Sequence, residues 1–514
     1  MTKDPIKDLV EGRHPEYEDN LAHWNFVEET YEGGREWFDG NIFKFIKEGA
    51  VEYRQRLARS YRFNHTKQVV DQVDKYLFKM TISRKDEDAP DGIKKFWQSA
   101  SLGGLDIDSF AKRISNATSI FGRVYVVVDS NVREDAFKTL KDEKDGDSKV
   151  YAYMVRPQDV LDMSYDDMGE LVWVLIREYS RDDADPLNSS REVRERFRLR
   201  TRSEWILYET RVARGGKKTY VEIDRGLNSL GIVPVIHADN VFSEEQYEAP
   251  GMIDDIAYLD RAVANYLSNL DAIIQDQTFS QLAMPAQGIL PGEEGADKLI
   301  EMSTKRVFLF NGESGTQPFY LSPDPKQAEL ILKAIGKIIS EIYHSIGLSG
   351  ERSKESAGVD NASGVAKSID FERVNSLLSA KARALQLFER RLISLVNIFT
   401  AGPVIDPDDL VTYPVEFDIR SVYDEFAVAT QLMLLSAPDE VRREQMRLVI
   451  DKLFPAISDA TGMLLEASLK DWPPEELIAA PGLGAPTKLG DKKDPGGPAK
   501  AKAVQSAAKS MATS

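Results

Sequence analysis

The strongest constraint in this sequence is a helical period that runs unbroken for about 36 residues. The stretch "SGVAKSIDFERVNSLLSAKARALQLFERRLISLVNIFTAGP" repeats apolar residues every three to four positions, and Gly402 and Pro403 end it. At about 1.5 Å per residue, the helix is about 54 Å long, which exceeds what one small domain encloses. The chain therefore needs an elongated architecture. The apolar stripe consists of Val374, Leu378, Leu385, Phe388, Leu392, Leu395 and Phe399.

Two further long helices are predicted upstream of this stretch. Residues 250–285 repeat apolar side chains at helical spacing, and Asp254 and Asp255 fall in the first turn, where the helix dipole favours acidic groups. Residues 324–347 begin with Asp-Pro and a capping glutamine and end at a glycine. A small insert at about 285–322 separates the two helices, and "KRVFLFNG" is its clearest strand.

The first half of the chain has a different character. Helical patterns cover about Leu21–Tyr31, Tyr53–Leu77 and Ile107–Ile120. Six runs rich in Val, Ile, Tyr and Trp then predict strands, and their short connections favour an antiparallel meander. Helices followed by such a meander define an α+β fold class. The predicted strands are Gly122–Ser130, Val150–Val160, Glu170–Ser180, Val193–Glu209, Lys218–Ile223 and Ile232–Ala238.

The C-terminal part is predicted to be helical and then flexible. A short strand near Val411–Phe417 precedes predicted helices at 424–435, 439–453 and 459–470. From Gly482 the sequence is rich in Pro, Gly, Ala and Lys, and it holds six Lys against two Asp. That composition is typical of a flexible basic tail.

The charge balance and the missing cysteines exclude several classes of protein. The chain has 66 Lys and Arg against 84 Asp and Glu, a net charge of −18, whereas tight nonspecific DNA binders are basic because they neutralise phosphates. Cysteine is absent, which excludes disulfides, thiolate zinc sites and cysteine nucleophiles. The first twenty residues do not resemble a signal peptide, and the longest apolar runs fall far below the roughly 20 residues of a membrane span.

Motifs for enzymatic chemistry are absent from the sequence. It contains no Walker A phosphate loop, no His-Glu-x-x-His zinc motif and no Gly-x-Ser-x-Gly nucleophile elbow. The five histidines lie far apart, and the acidic run at 142–149 lacks the ligand spacing of a calcium loop. We therefore expect no enzymatic activity, no catalytic residue, no cofactor and no metal site.

One run of alternating arginines is a candidate contact surface. In "VRERFRLRTR" the arginines occupy every second position, so a strand would place all five on one face. One interpretation is that carboxylates on neighbouring strands, such as Glu178, Glu222 or Asp224, neutralise this face. The other is that the face contacts an acidic partner, either a neighbouring subunit or nucleic acid. The five residues are Arg194, Arg196, Arg198, Arg200 and Arg202.

The order of these elements resembles the portal proteins of tailed double-stranded DNA bacteriophages, which form the head–tail connector ring. The resemblance spans about Trp24 to Pro473. It is carried by "YRQRLARSYRFNHTKQVVDQVDKYLF", "FGRVYVVVD" and "VRPQDVLDMSYDDMGELVWVLI". Its strongest carrier is the succession of helix, small β insert, helix, polar loop, "ASGVAKSIDFERV" and very long helix.

The resemblance implies an anatomy of wing, two-helix stem, clip, spine helix and crown. In this chain the wing is 1–250, the stem helices are 251–284 and 324–347, the clip is 285–323, the tunnel loop is 348–364, the spine helix and its return to the wing are 365–420, the crown is 421–480, and a flexible basic tail is 481–514.

The resemblance also implies a function. The family forms a ring, usually of twelve subunits, at one capsid vertex of the virion, and double-stranded DNA passes through it during packaging and ejection. Assembly takes place in the host cytoplasm. Expected partners are copies of the chain, the terminase large subunit, a head–tail adaptor or neck protein, and the capsid and scaffolding proteins, with no membrane. The alternative is another neck or tail ring, or a scaffold component.

Two sets of residues are assigned to these roles by the resemblance. Clip docking is expected to involve Lys305, Arg306, Phe308 and Phe310. Loop 348–364 and the start of the following helix carry as many acidic as basic residues, so their contact with DNA is expected to be weak enough to slide. The residues expected to face DNA are Arg352, Lys354, Ser356, Asn361, Ser363 and Lys367.

Overall fold

The computed structural model divides the chain into two units, Met1–Ile419 and Arg420–Ser514. It describes residues 4–46, 48–131, 149–212, 216, 218–278, 281–285, 308–310, 317, 319–321, 326–348, 364–417, 429–430, 432, 438–453, 465 and 467–469. In 276–278, 281–285, 308–310, 319–321, 364–371 and 451–453 this description covers the backbone only.

The first unit is a mixed α+β structure. Its described helices are α1 (Pro5–Glu11), α2 (Pro15–Glu32), α3 (Trp37–Asn41), α4 (Ala50–Arg59), α5 (His65–Leu77), α6 (Asp91–Gln98), α7 (Ile107–Phe121), α8 (Asp254–Thr278), α9 (Lys326–Ser345), α10 (Gly364–Phe399) and α11 (Pro407–Leu410). The second unit contains α12 (Asp439–Leu453).

The strands follow the helices of the N-terminal part. They are β1 (Ser83–Arg84), β2 (Arg123–Ser130), β3 (Val150–Val155), β4 (Val160–Tyr165), β5 (Leu171–Arg181), β6 (Val193–Thr201), β7 (Glu204–Val212), β8 (Lys218–Leu227), β9 (Val235–Asp239), β10 (Gln281–Pro285), β11 (Phe308–Phe310), β12 (Phe319–Leu321) and β13 (Val411–Thr412).

The described strands form four sheets. Strands β4 to β8 pair in chain order as a five-stranded antiparallel sheet, so the predicted antiparallel meander is confirmed for these strands. It is wrong for β2, β3 and β9, which pair in a separate sheet. A three-stranded antiparallel sheet has β2 between β3 and β9. Strand β10 pairs with β11 and β12, and β1 pairs with β13. Because β2 is covered on both faces, it reads as a continuous apolar run rather than an alternating one.

The predicted helix over 53–77 is wrong in one respect, because it is two helices. The chain breaks between Arg59 and His65, and Asn64 adopts a left-handed conformation (φ 40°). The Asn64 side chain accepts a hydrogen bond from the Lys67 amide at 3.0 Å and caps α5. Arg62 lies over the Trp37 ring at 4.1 Å. Tertiary contacts of the break therefore override the helical periodicity.

Three other predicted bounds are also wrong. The run 193–209 is a hairpin of β6 and β7, because the Thr201 hydroxyl accepts the Glu204 amide at 3.0 Å and turns the chain. The run 150–160 ends at Val155, and a 3₁₀ turn separates it from β4. The helix predicted over 250–285 ends at Thr278, because the backbone of β10 pairs with strands on both sides.

The remaining long helices match their predictions closely. Helix α7 spans Ile107–Phe121, α10 spans Gly364–Phe399 and α12 spans Asp439–Leu453. Helix α9 is followed by Gly347, whose φ of 75° is a glycine-type helix stop. The division into wing, stem, clip and crown stays a prediction.

One apolar core connects the helices and sheets of the first unit. It includes Val69 of α5, Ile114 of α7, Val126 of β2, Ile253 beside α8 and Leu385 of α10, all essentially inaccessible to solvent. The long helix is thus held by the same core as the sheets, and its apolar stripe is its main attachment.

Shortening one side chain of this apolar stripe tests how much the stripe stabilises the fold. Leu385→Ala removes a fully buried side chain and leaves a cavity, so we expect a loss of roughly 2–5 kcal/mol in the free energy of unfolding. Leu387→Ala, on the same helix but 37% exposed, is the matched control and should cost much less. Urea denaturation of both variants measures the difference, and equal losses would show that the stripe is not the attachment.

Candidate functional site

The link between α9 and α10 is the candidate site, and the end of α9 that leads into it is closely packed. The chain leaves α9 through a turn in which the Leu348 amide donates to the Tyr343 carbonyl at 2.8 Å. A Cβ at Gly347 would lie 2.9 Å from the Arg373 Cβ and 3.1 Å from Val374 Cγ2. Since only glycine fits there, the end of α9 lies directly against residues 373–374 of α10.

Helix α10 starts well before this contact. Its first residue is Gly364, so ten helical residues, 364–373, precede Val374, about 15 Å of helix. The link 349–363 therefore joins the end of α9 to the far end of this helical extension. Its predicted residues Arg352, Lys354, Ser356, Asn361 and Ser363 lie outside the described residues. Lys367 lies within the extension, where only the backbone is described, and the DNA-facing role of all six stays a prediction.

The predicted docking residues belong to the insert between α8 and α9. Phe308 and Phe310 lie in β11, opposite Ala283 and Pro285 of β10. In the order β11–β10–β12, strand β11 is at an edge, so one side of it has no strand partner among the described residues. Lys305 and Arg306 lie outside the described residues. The docking role of these four residues stays a prediction.

The five arginines lie along β6 and the turn after it, and each is paired with a carboxylate. Glu178 of β5 binds Arg198 with both oxygens, at 2.6 and 3.1 Å, as one of the two interpretations requires. Glu222 instead binds Arg225. The remaining contacts are Arg194 with Asp182 at 3.0 Å, Arg196 with Glu209 at 3.1 Å, Arg200 with Asp129 at 2.5 Å and Arg202 with Asp166 at 2.6 Å.

The arginine row joins two sheets as well as two strands. Asp129 belongs to β2, so its contact with Arg200 connects the five-stranded sheet to the three-stranded one. Burial opposes the charge of Arg200, but Tyr153 and Asp129 outweigh burial and raise the pKa of Arg200. A row whose charges are already satisfied has little capacity to bind a polyanion. Whether it also contacts a partner stays a prediction.

A crevice of about 900 Å³ opens beside this row, between α2, α7 and the two sheets. Its walls include Tyr31, Tyr151 and Tyr179 and several arginines. Two of those arginines already form salt bridges with glutamates: Arg156 contacts Glu28 at 2.5 Å, and Arg198 contacts Glu178. The crevice is therefore polar without being a strong anion site.

The sequence prediction missed a buried lysine on α10. Lys381 is 1% exposed, and its ammonium donates to Ser119 Oγ at 2.8 Å, Asn240 Oδ1 at 2.9 Å and Thr118 Oγ1 at 3.2 Å. Both hydroxyls donate their own hydrogens to the Ser115 carbonyl at 2.9 Å, so their lone pairs are free to accept from the lysine. An ammonium has three N–H donors, and all three are satisfied here.

Burial controls the protonation of this lysine. It lowers the pKa of Lys381 to about 8, and the nearby Asp74 carboxylate works against that shift. Burial likewise raises the pKa of Asp74, although Lys381 and hydrogen bonds from Ser115 (2.6 Å) and Asn116 (3.2 Å) favour its charged form. The two groups thus stabilise each other's charge in a nearly water-free site.

A buried glutamate lies two turns further along α10. Glu389 is 1% exposed and binds Arg84 with both oxygens, at 2.6 and 3.1 Å. The Tyr413 hydroxyl donates to Glu389 at 2.7 Å. These bonds join α10 to β1 and to the residue after β13. Arg84 also contacts Asp108 of α7 at 2.7 Å.

The sequence did contain a signal for the buried lysine. The apolar stripe of α10 has a gap between Leu378 and Leu385, and Lys381 occupies the position that continues it, three residues after one and four before the other. A charged residue at a stripe position predicts a buried charge with partners on other elements. The identity of those partners follows only from the fold.

Two surveys of the described residues gave negative results. Within the ranges given above, no group of three or more acidic or histidine side chains is arranged to hold a metal ion. Across the same part of the chain, no helix combines the length and apolarity that crossing a bilayer requires.

No protein-family model matches the sequence, and no curated protein matches it either. Solved structures that resemble the chain include the neck of an empty gene transfer agent particle computed with C6 symmetry, at 11% identity over 73% of this chain and 90% of that chain, with a TM-score of 0.36. The virion of the native particle also resembles the chain, at 11% identity over 74% of this chain and 89% of that chain, with a TM-score of 0.38. The neck of the native particle computed with C12 symmetry does so at 11% identity over 75% of this chain and 89% of that chain, with a TM-score of 0.36. Identity and TM-score are too low for these likenesses to assign the chain a function.

Because of the buried lysine, the free energy of unfolding is expected to change with pH in the alkaline range. The pKa of Lys381 is about 8 in the folded chain and about 10.5 in the unfolded chain. Between these two pH values the unfolded chain binds more protons, so the free energy of unfolding rises with pH, by up to about 3 kcal/mol. Lys381→Met should lack this increment. Urea unfolding of both proteins at pH 7.5 and 9.5 measures it, and parallel pH profiles would show that Lys381 does not titrate in this range.

Proposed function

We propose that this chain is the subunit of a phage portal ring, a channel at one capsid vertex through which double-stranded DNA is packaged and ejected. One observation supports this most: α9 ends against residues 373–374 of α10, while α10 continues for ten residues to meet the link 349–363. The link is polar in sequence and enters the helix at the first residue of that extension rather than at the contact. We infer that it is suited to touching a passing ligand.

The charges of the chain suit a sliding contact with DNA. In the link and at the start of α10, Arg352, Lys354 and Lys367 are matched by Glu351, Glu355 and Asp360. Each neutralised phosphate strengthens DNA binding, so a balanced segment binds weakly. The net charge of −18 adds a general repulsion of the polyanion. We infer that DNA is guided by the channel rather than held in it.

Ring formation would cover apolar residues that the single chain leaves exposed. Leu330 and Leu332 near the start of α9 are 69% and 53% exposed, and Ile274 near the end of α8 is 48% exposed. Helices α8 and α9 pack against each other, so these residues lie on one helix pair. We propose that the pair packs against the same pair of neighbouring copies, in a ring of twelve by the family resemblance.

The remaining parts of the proposal concern partners. The insert with strands β10 to β12 would dock the terminase large subunit during packaging and a head–tail adaptor or neck protein afterwards, and the capsid and scaffolding proteins would surround the ring. The chain itself would catalyse nothing, since the motor supplies the energy. Its location would be the capsid vertex of the virion.

Ring formation can be tested by placing charge on the exposed apolar residues. We expect the wild-type chain to form flanged rings with a central hole in negative-stain images, and Leu330→Glu combined with Leu332→Glu to yield smaller species, because both carboxylates would be desolvated at the interface. Lys333→Glu, exposed on the same helix, is the control and should keep the ring. Unaltered rings from a folded double variant would contradict this interface.

The sliding contact predicts a second result. Glu351→Lys with Glu355→Lys raises the net charge of each subunit by four, so DNA should move more slowly through the ring and packaging should slow or stall. Glu329→Lys with Glu341→Lys makes the same charge change on the exposed face of α9 and serves as the control. Packaged DNA length and rate with the cognate motor measure the effect, and equal rates in both variants would overturn the assignment of the link.

The alternative, another neck or tail ring, predicts a different deletion phenotype. A portal is needed before DNA enters the head, so its deletion should leave no DNA-filled heads. Deletion of a neck or tail component should instead leave filled heads without tails. Electron microscopy of lysates separates the two outcomes.

A further inference from the structure

Helix α10 carries two buried charges of opposite sign on its core side. Lys381 and Glu389 are each 1% exposed and are eight residues apart, about 12 Å along the helix. Leu385, between them, is fully buried. Neither charge belongs to the link 349–363 or to the exposed apolar residues of α8 and α9, so the proposed function leaves both unexplained.

The two charges are held by different parts of the fold. Lys381 is bound by Thr118 and Ser119 of α7 and by Asn240 after β9. Glu389 is bound by Arg84 of β1 and by the Tyr413 hydroxyl. Because separate elements bind the helix at these two points, the helix can neither slide along its axis nor rotate about it without breaking hydrogen bonds.

The apolar stripe alone fixes the helix poorly. Leu378, Leu385 and Leu392 have the same side chain and recur at seven-residue intervals, and all three are fully buried. A shift of the helix by seven residues, two turns, would again present leucines to the core. The same shift would separate Lys381 and Glu389 from the five side chains that bind them, which is strongly unfavourable.

We propose that Lys381 and Glu389 are a two-point register lock that sets the axial and rotational position of α10 against the rest of the first unit. Buried polar residues are known to fix register in packed helices at a cost in stability. Because the N-terminal end of α10 leads into the link 349–363, the lock also sets where that link is held; only this consequence rests on the proposed function.

The lock can be tested with spin labels, since the chain has no native cysteine. Lys75→Cys on α5 and Ser376→Cys on α10 are both at exposed positions on helices that pack together. Labelled chain is mixed with excess unlabelled chain, and the distance distribution within one chain is measured by pulsed electron paramagnetic resonance. The wild-type background should give one narrow distribution.

In the lock variant, Lys381→Met with Glu389→Gln, we expect a broadened distribution or a second peak displaced by up to about 10 Å, two helical turns. The matched control is Arg383→Met with Glu372→Gln, which neutralises one positive and one negative charge at exposed positions of the same helix and should leave the distribution narrow. A folded lock variant with the wild-type distribution would overturn the proposal.

Two further measurements separate a lock from ordinary packing. Lys381→Met alone should lower the midpoint of urea unfolding, because Asn240 and Asp74 lose their buried partner, and it should also broaden the distribution. A merely structural role would lower the midpoint and leave the distribution narrow. If the double variant fails to fold, this single variant decides the question. All of these measurements are made without DNA or a motor, so their outcome is independent of whether the chain is a portal subunit.

Discussion

The burial of one face of α10 is the constraint on which the first unit depends. This 36-residue helix packs against α5, α6 and α7 and against β2 and β9 of the three-stranded antiparallel sheet. It therefore contacts both the N-terminal helices and that sheet. Apolar contact supplies the attraction, and Lys381 and Glu389 supply the position. The cost of burying the lysine is visible in its pKa, which burial lowers to about 8. Attachment and positioning are thus separate contributions on the same helix face.

Several buried charges of the first unit are paired with a charge of opposite sign. Arg123 binds Asp239 with both oxygens at 2.6 and 2.9 Å, and Arg84 binds Glu389 in the same way. The arginine row on β6 follows the same rule and is neutralised within its own sheet and by Asp129.

The contact between the end of α9 and residues 373–374 of α10 is what makes the polar link between these helices a candidate site. Gly347 allows α9 to end directly against Val374, and the ten residues before that contact continue as helix. The link therefore does not join the two helices at their point of contact, but enters α10 about 15 Å before it. This geometry, together with the balanced charge of the link, carries the proposal of a portal subunit.

The sequence by itself determined the elements whose signals are local. Helices α7, α10 and α12, the glycine stop after α9 and strands β2 and β5 were predicted close to their observed bounds, because periodicity, caps and turn residues act within a few residues. The hairpin within 193–209 also depends on a local turn, at 201–204, which the sequence prediction missed. Only the tertiary structure decided the break at residues 60–64 and the strand at 281–285, because both depend on residues farther away in the chain. The same holds for the candidate site. The sequence showed a polar link, an arginine row and a lysine interrupting an apolar stripe, whereas the close approach of Gly347 to Val374 and the oxygens around Lys381 exist only where distant segments meet.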